Sequence, residues 1–187
     1  HGLFNLAATC IALEKYTQAQ PLFQRTLAIF EQSLEQGHPL IGLTLNMLAR
    51  ACYFQGKYEQ AELLFQQALR IRTQALGAEH PCVAETLNNL ADLYRTQCKF
   101  TQAEQYCQQT LTIYRKVWGS KHVEHLEVSH ALSTLAKLAR DQGKYAEAES
   151  YFQQAQAIRG QLLGLEHPDV ARGLKDWSVF NSSATTF

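Results

Sequence analysis

Seven histidines and five cysteines are the side chains of this 187-residue sequence best suited to metal binding or nucleophilic attack. His38, His80, His122 and His167 recur one at a time, at the same place in successive stretches of chain. Such spacing strings them out along the molecule and does not gather them around an ion, so they are read as structural. His122, His125 and His130, with Glu124 and Glu127 between them, form the one local cluster with ligand-like spacing. An exposed insertion accounts for it better, and no metal or cofactor is assigned. Cys10, Cys52 and Cys107 take slots filled elsewhere by Tyr94, Phe65 and Phe152, where cysteine behaves as a small hydrophobe. Cys82 and Cys98 lie near turns with no partner base placed by the pattern. No glycine-rich phosphate loop, GxSxG or HExxH occurs, and no catalytic residue is assigned. The remaining chemistry is that of amides and guanidinium groups. Asn46, Asn88 and Asn89, interleaved with Arg50, Arg95, Lys137 and Arg140, are suited to hydrogen bonding with peptide units and carboxylates.

Composition narrows the partners. The 17 Lys+Arg residues balance 17 Asp+Glu, so no bulk positive field draws the chain to nucleic acid or to anionic lipid. At 46% hydrophobic and 18% charged the chain is expected to fold, and no apolar run reaches bilayer-spanning length. The odd cysteine count without a CxxC pair argues against a disulfide framework and for a reducing, cytoplasmic setting.

A repeat positions these groups. Leu-Ala recurs at Leu6-Ala7, Leu48-Ala49, Leu90-Ala91 and Leu135-Ala136, with steps of 42, 42 and 45 residues. In register follow Lys15-Tyr16, Lys57-Tyr58, Lys99-Phe100 and Lys144-Tyr145, and then Ala19, Ala61, Ala103 and Ala148. Leu45, Leu48, Ala49 and Cys52 share one helix face; Ala61, Phe65, Ala68 and Leu69 share another, so each unit holds two helices. Gly56 and Gly143 suit the left-handed turn after a first helix, and proline after histidine suits the start of the next. The spacing predicts an antiparallel pair over 81–97 and 100–117, equivalents in the other units, and no strands.

The pattern Leu-x2-Leu-Ala-x2-Cys/Tyr followed by Ala-x3-Phe resembles the tetratricopeptide repeat. The longer step, with Leu87-Asn88-Asn89-Leu90-Ala91, Tyr94-Arg95, Gln142-Gly143-Lys144-Tyr145 and Leu76-Gly77-Ala78-Glu79-His80-Pro81, is similar to the kinesin light chain type. The resemblance spans about residues 1–180 and implies an all-α, right-handed superhelical α-solenoid: about four tetratricopeptide helix pairs plus a C-terminal capping helix. The expected repeats are 1–37, 38–79, 80–121 and 122–166, forming a single domain over 1–180. A capping helix at 168–180 presents Val170, Leu174, Trp177 and Phe180, and 181–187 form a flexible tail. His1-Gly2-Leu3 falls inside a first helix without a histidine-proline lead, as expected of a piece of a longer protein. Three extra residues within 123–129 predict a longer first helix in the fourth unit or a local break in the superhelix.

On the first helices a second stripe remains once the packing face is assigned. It reads Phe4, Ala8, Ile11; Asn46, Arg50, Tyr53; Asn88, Asp92, Arg95; and Ser133, Lys137, Arg140, flanked by Asn5, Met47, Asn89 and Thr134. In tetratricopeptide arrays the matching stripe lines a concave groove, and the resemblance implies peptide contact for Asn88, Asn89 and Arg95. Asparagine is a poor helix former that a purely solvated face would not need. The expected function is a non-catalytic scaffold. Its peptide-binding groove comprises Asn46, Arg50, Tyr53, Asn88, Asn89, Asp92, Arg95, Ser133, Lys137 and Arg140. The ligand would be a linear protein segment with an apolar anchor near Phe4, Ile11 and Tyr53 and acidic residues toward Arg95 and Arg140. Two alternatives stay open: a peptide-sensing module that controls an attached effector domain, and self-association through exposed solenoid ends.

Overall fold

The computed structural model describes residues 2–119, 125–164, 166–168, 170, 171 and 173. Their helices run α1 (Gly2–Ala12), α2 (Tyr16–Ser33), α3 (Pro39–Phe54), α4 (Tyr58–Leu76), α5 (Pro81–Thr96), α6 (Phe100–Trp118), α7 (Leu126–Asp141) and α8 (Tyr145–Leu163). Among the described residues there is no strand, which meets the expectation of an all-α helical repeat. The chain divides into two compact units, His1–Ile113 and Tyr114–Phe187. No described helix is long and apolar enough to cross a membrane.

Each helix pair turns in the same way because the same backbone groups must be satisfied. After α3, the Lys57 amide donates to Cys52 O at 3.0 Å and the Gly56 amide to Tyr53 O at 2.9 Å, which closes the helix with its orphan carbonyls paired. Lys15 to Cys10, Lys99 to Tyr94 and Lys144 to Ala139 repeat the longer bond at 2.8 Å. The turn needs one residue at positive φ, supplied by Gly56 (75°) and Gly143 (76°), but by Glu14 (59°) and Cys98 (58°) in the other two pairs. At the opposite end, Pro39 and Pro81 open α3 and α5. The histidine before each acts as a cap: His38 Nδ1 accepts from the Leu40 amide at 3.2 Å, and His80 Nδ1 from the Cys82 amide at 3.1 Å.

Alanines at the helix crossings set the close approach within each pair. Ala7 and Ala19, Ala49 and Ala61, and Ala91 and Ala103 are fully buried. A larger side chain at any of them would force the helices apart. In the first unit α1 adjoins α3 and α3 adjoins α5, so the first helices lie side by side. Helix α7 has 16 residues, the same as α3 and α5, so the fourth pair does not gain the longer first helix that the insertion suggested. His122, Val123 and Glu124 lie outside the described residues. So do Leu174, Trp177 and Phe180 of the expected capping helix, and the tail 181–187.

Candidate functional site

The predicted stripe in the first unit lies on α3 and α5. Arg50, Tyr53, Asn88, Asn89, Asp92 and Arg95 are all half-buried there, flanked by half-buried Met47 on α3. Tyr53 shares a hydrogen bond of 2.9 Å with Thr96 on the next first helix, and burial raises its phenol above the ordinary value. Its ring meets Phe54 edge-on at 5.1 Å, and Phe54 stacks on Tyr16 at 4.5 Å, which makes an aromatic rim at the C-terminal end of α3. Arg50 Nη1 donates to the Met47 sulfur at 3.7 Å. Arg95 Nε donates to Asp92 Oδ1 at 3.3 Å, so much of its charge is met within α5. Phe4 packs edge-on against Phe23 at 5.6 Å, and Ile11 is buried.

Asn46 departs most from expectation. Sequence spacing put it on the open stripe, yet it is fully buried. Its Nδ2 donates to Glu85 Oε1 at 3.2 Å and its Oδ1 accepts from Asn89 Nδ2 at 3.1 Å. The side chain is enclosed because α5 lies directly against α3 and covers it. A buried amide must be paired on both sides, and here both partners come from α5. Asn46 therefore reaches the stripe through Asn89. Asn88, its neighbour, is half-buried, and its Oδ1 is enclosed without a hydrogen-bond partner among the described residues.

Arg72 and Glu85 were missed by the sequence reading. Arg72 is buried to 1% exposure, and its Nη1 donates to Cys82 O at 2.7 Å, Thr86 Oγ1 at 2.8 Å and Glu85 Oε2 at 3.0 Å. Its stem lies over Gly42, where a Cβ would stand 3.0 Å from Arg72 Cγ. The available signal was positional: Arg72 continues the interior face of Ala61, Phe65 and Ala68, in register with Phe30 and Tyr114. A second missed group surrounds Tyr94, whose hydroxyl donates to Glu62 Oε1 at 2.8 Å. Burial, and then that carboxylate, pushes its pKa up to about 12.

In the second unit the predicted residues lie on α7. Ser133 is half-buried and its hydroxyl accepts from Arg159 Nη2 at 2.7 Å. Arg159 occupies the slot of Arg72 and also donates to Ser129 Oγ at 3.2 Å. Lys137 is exposed, Arg140 pairs with Asp141 at 2.9 Å, and Thr134 is buried. His125 caps the start of α7 by position and stacks on Trp118 at 4.0 Å. His130 is exposed on the same helix. The cysteines behave as core residues where the sequence put them in core slots. Cys10, Cys52 and Cys107 are buried, and burial raises the Cys52 thiol and holds that of Cys107 up at about 12. Outside the stripe, a groove of about 840 Å³ between α4, α5 and α6 is lined by Leu69, Thr73, Leu87, Gln105, Gln109 and Ile113.

Family models described as tetratricopeptide repeat match residues 2–74, 64–116 and 128–169. Among solved structures, BtubC (BKLC) from P. vanneervenii superposes with a TM-score of 0.74 at 24% identity, over 97% of this chain and 71% of its own. A second, from Podosopora anserina, is described as a kinesin light chain with nearly identical TPR-like repeats. It gives 0.69 at 21% identity, over 100% of this chain and 96% of its own. At these identities the likeness is one of fold. No curated protein matches the sequence significantly.

Proposed function

The chain belongs to the tetratricopeptide-repeat family, whose fold implies a protein–protein interaction scaffold, and on that premise we propose that its first-helix stripe holds a short linear segment of another protein without catalysis. The observation that carries the reading is the collection of half-buried amide, guanidinium and phenol groups on the adjoining helices α3 and α5. Half-burial suits recognition, because such groups are ordered by packing yet keep part of their hydrogen-bonding capacity for a ligand. Amides pair with both halves of a peptide unit whatever side chains it bears, which gives affinity for an extended backbone. Arg50 on α3, and Lys137 on α7 in its own unit, favour carboxylates; Tyr53 and the rim formed by Phe54 and Tyr16 favour an apolar anchor.

An array of short peptides graded in acidity and in aromatic content tests it. Asn88→Ala/Asn89→Ala is expected to lower the signal of the best binders about tenfold while helicity is retained. Unchanged signal would remove the stripe as the binding surface.

A further inference from the structure

A line of polar groups runs from the interior to the stripe: Arg72 to Glu85 at 3.0 Å, Glu85 to Asn46 at 3.2 Å, and Asn46 to Asn89 at 3.1 Å. Its first two members leave no choice of direction. Guanidinium only donates and carboxylate only accepts. Glu85 Oε1 must therefore accept a hydrogen bond from Asn46 Nδ2, which turns Asn46 Oδ1 away as an acceptor. Asn89 can then meet Asn46 only with its own Nδ2. The orientation of the half-buried Asn89 amide is thus set two residues upstream by the Glu85 carboxylate, itself held by the buried Arg72.

We infer that Arg72 and Glu85 are positioning residues that fix Asn89 so that its Oδ1 is offered to the ligand as an acceptor. The inference rests on the groove reading above and deepens it, since it names the ligand chemistry: an extended peptide that brings a backbone N–H to Asn89. A ligand carbonyl or carboxylate at that spot meets another acceptor and is disfavoured. Without the relay, Asn89 could rotate by half a turn and accept either kind of peptide edge. The buried position of Arg72, closed over by Gly42 and bonded also to Cys82 O and Thr86 Oγ1, keeps the head of the relay from turning.

The relay can be reversed on paper, and that reversal is its test. Asn89→Asp places an acceptor against Asn46 Oδ1 and conflicts with the relay. In the Glu85→Gln background the new amide accepts from Arg72 with its oxygen and donates to Asn46 Oδ1 with its nitrogen. Asn46 then offers Nδ2 to the Asp carboxylate, and every group is satisfied again. Urea unfolding of the four proteins without peptide should show Asn89→Asp reducing the folding equilibrium constant about tenfold alone and less than about threefold in the Glu85→Gln background. Equal losses in both backgrounds would overturn the relay.

Exchange of the Asn89 carboxamide protons, followed by NMR in wild type and Glu85→Ala, gives a second reading that needs no Asp variant. A rise of about tenfold or more supports the relay, and an unchanged rate overturns it. An N-methyl scan of the strongest decapeptide from the array completes the test. One methylated N–H should abolish binding to the wild type and to the Glu85→Gln/Asn89→Asp variant alike, and tolerance at every position would overturn the ligand assignment. Coupled stabilities with no peptide bound by any of the four proteins would sink the groove reading and leave the relay standing.

Discussion

Four turns of the same geometry carry two glycines and two residues with side chains, which makes a controlled experiment within one chain. At Glu14 and Cys98 the backbone holds φ near 59° and 58°, a conformation that costs an L-residue about 1–2 kcal/mol. Glycine removes that strain but gains freedom in the unfolded chain, which returns about 0.4–1 kcal/mol. Cys98→Gly should thus stabilise by about 0.5–1 kcal/mol net. At Gly56 and Gly143 an added Cβ would meet nothing within 4 Å, so the backbone angle alone sets the cost of substitution. Gly56→Ala should destabilise by about 1 kcal/mol. Urea unfolding measures both, and hydrogen exchange at the Lys99 amide, bonded to Tyr94 O at 2.8 Å, localises the effect. Because Cys98→Gly also deletes an exposed thiol, Cys98→Ser and Cys98→Asn are the controls. Serine should leave stability where it is, and asparagine, which tolerates the left-handed region, should fall between serine and glycine. If serine stabilises as much as glycine, or if Gly56→Ala costs nothing, backbone strain is not what distinguishes these turns.

Ala91 is fully buried at the α5 crossing, so Ala91→Leu should overpack it and cost about 1–3 kcal/mol in urea unfolding. Alkaline stability should fall as Cys107 and Tyr94 ionise. Both pKa values are raised to about 12 from 9.0 and 10.0, so each contributes stability that is complete below its ordinary value and lost as pH climbs toward 12. Urea midpoints from pH 8 to 11 should drop for the wild type and less steeply for Cys107→Ala; parallel slopes would show that this thiol is not desolvated as described.

Periodicity sufficed for the helices because each pair obeys local rules that act within a few residues. Ala49 and Ala61 set the crossing, Gly56 the turn, and His38-Pro39 the next start, so a 42-residue window holds nearly all the determinants of one unit. The position of the insertion was legible, but its outcome was not: nothing between 119 and 129 in the sequence states whether the added residues extend α7, whose 16 residues equal those of α3 and α5. The stripe was half legible for a related reason. Spacing along α3 says which way Asn46 faces, but its cover depends on how closely α5 approaches, a property of the stack that no single helix encodes. The missed arginine follows the same logic. By residue type Arg72 reads as a solvated charge, and only its register with Phe30 and Tyr114 marks the slot as interior. A buried guanidinium is tolerable there because Gly42 makes room for its stem and three acceptors on α5 receive Nη1. The glycine that admits Arg72 and the asparagine that Arg72 holds indirectly both sit on α3, four residues apart on one helix face. Gly42, Asn46, Arg72, Glu85 and Asn89 therefore act as one constraint between two repeats: the glycine admits the guanidinium stem, and the other four set the direction of each hydrogen bond from the interior to the stripe.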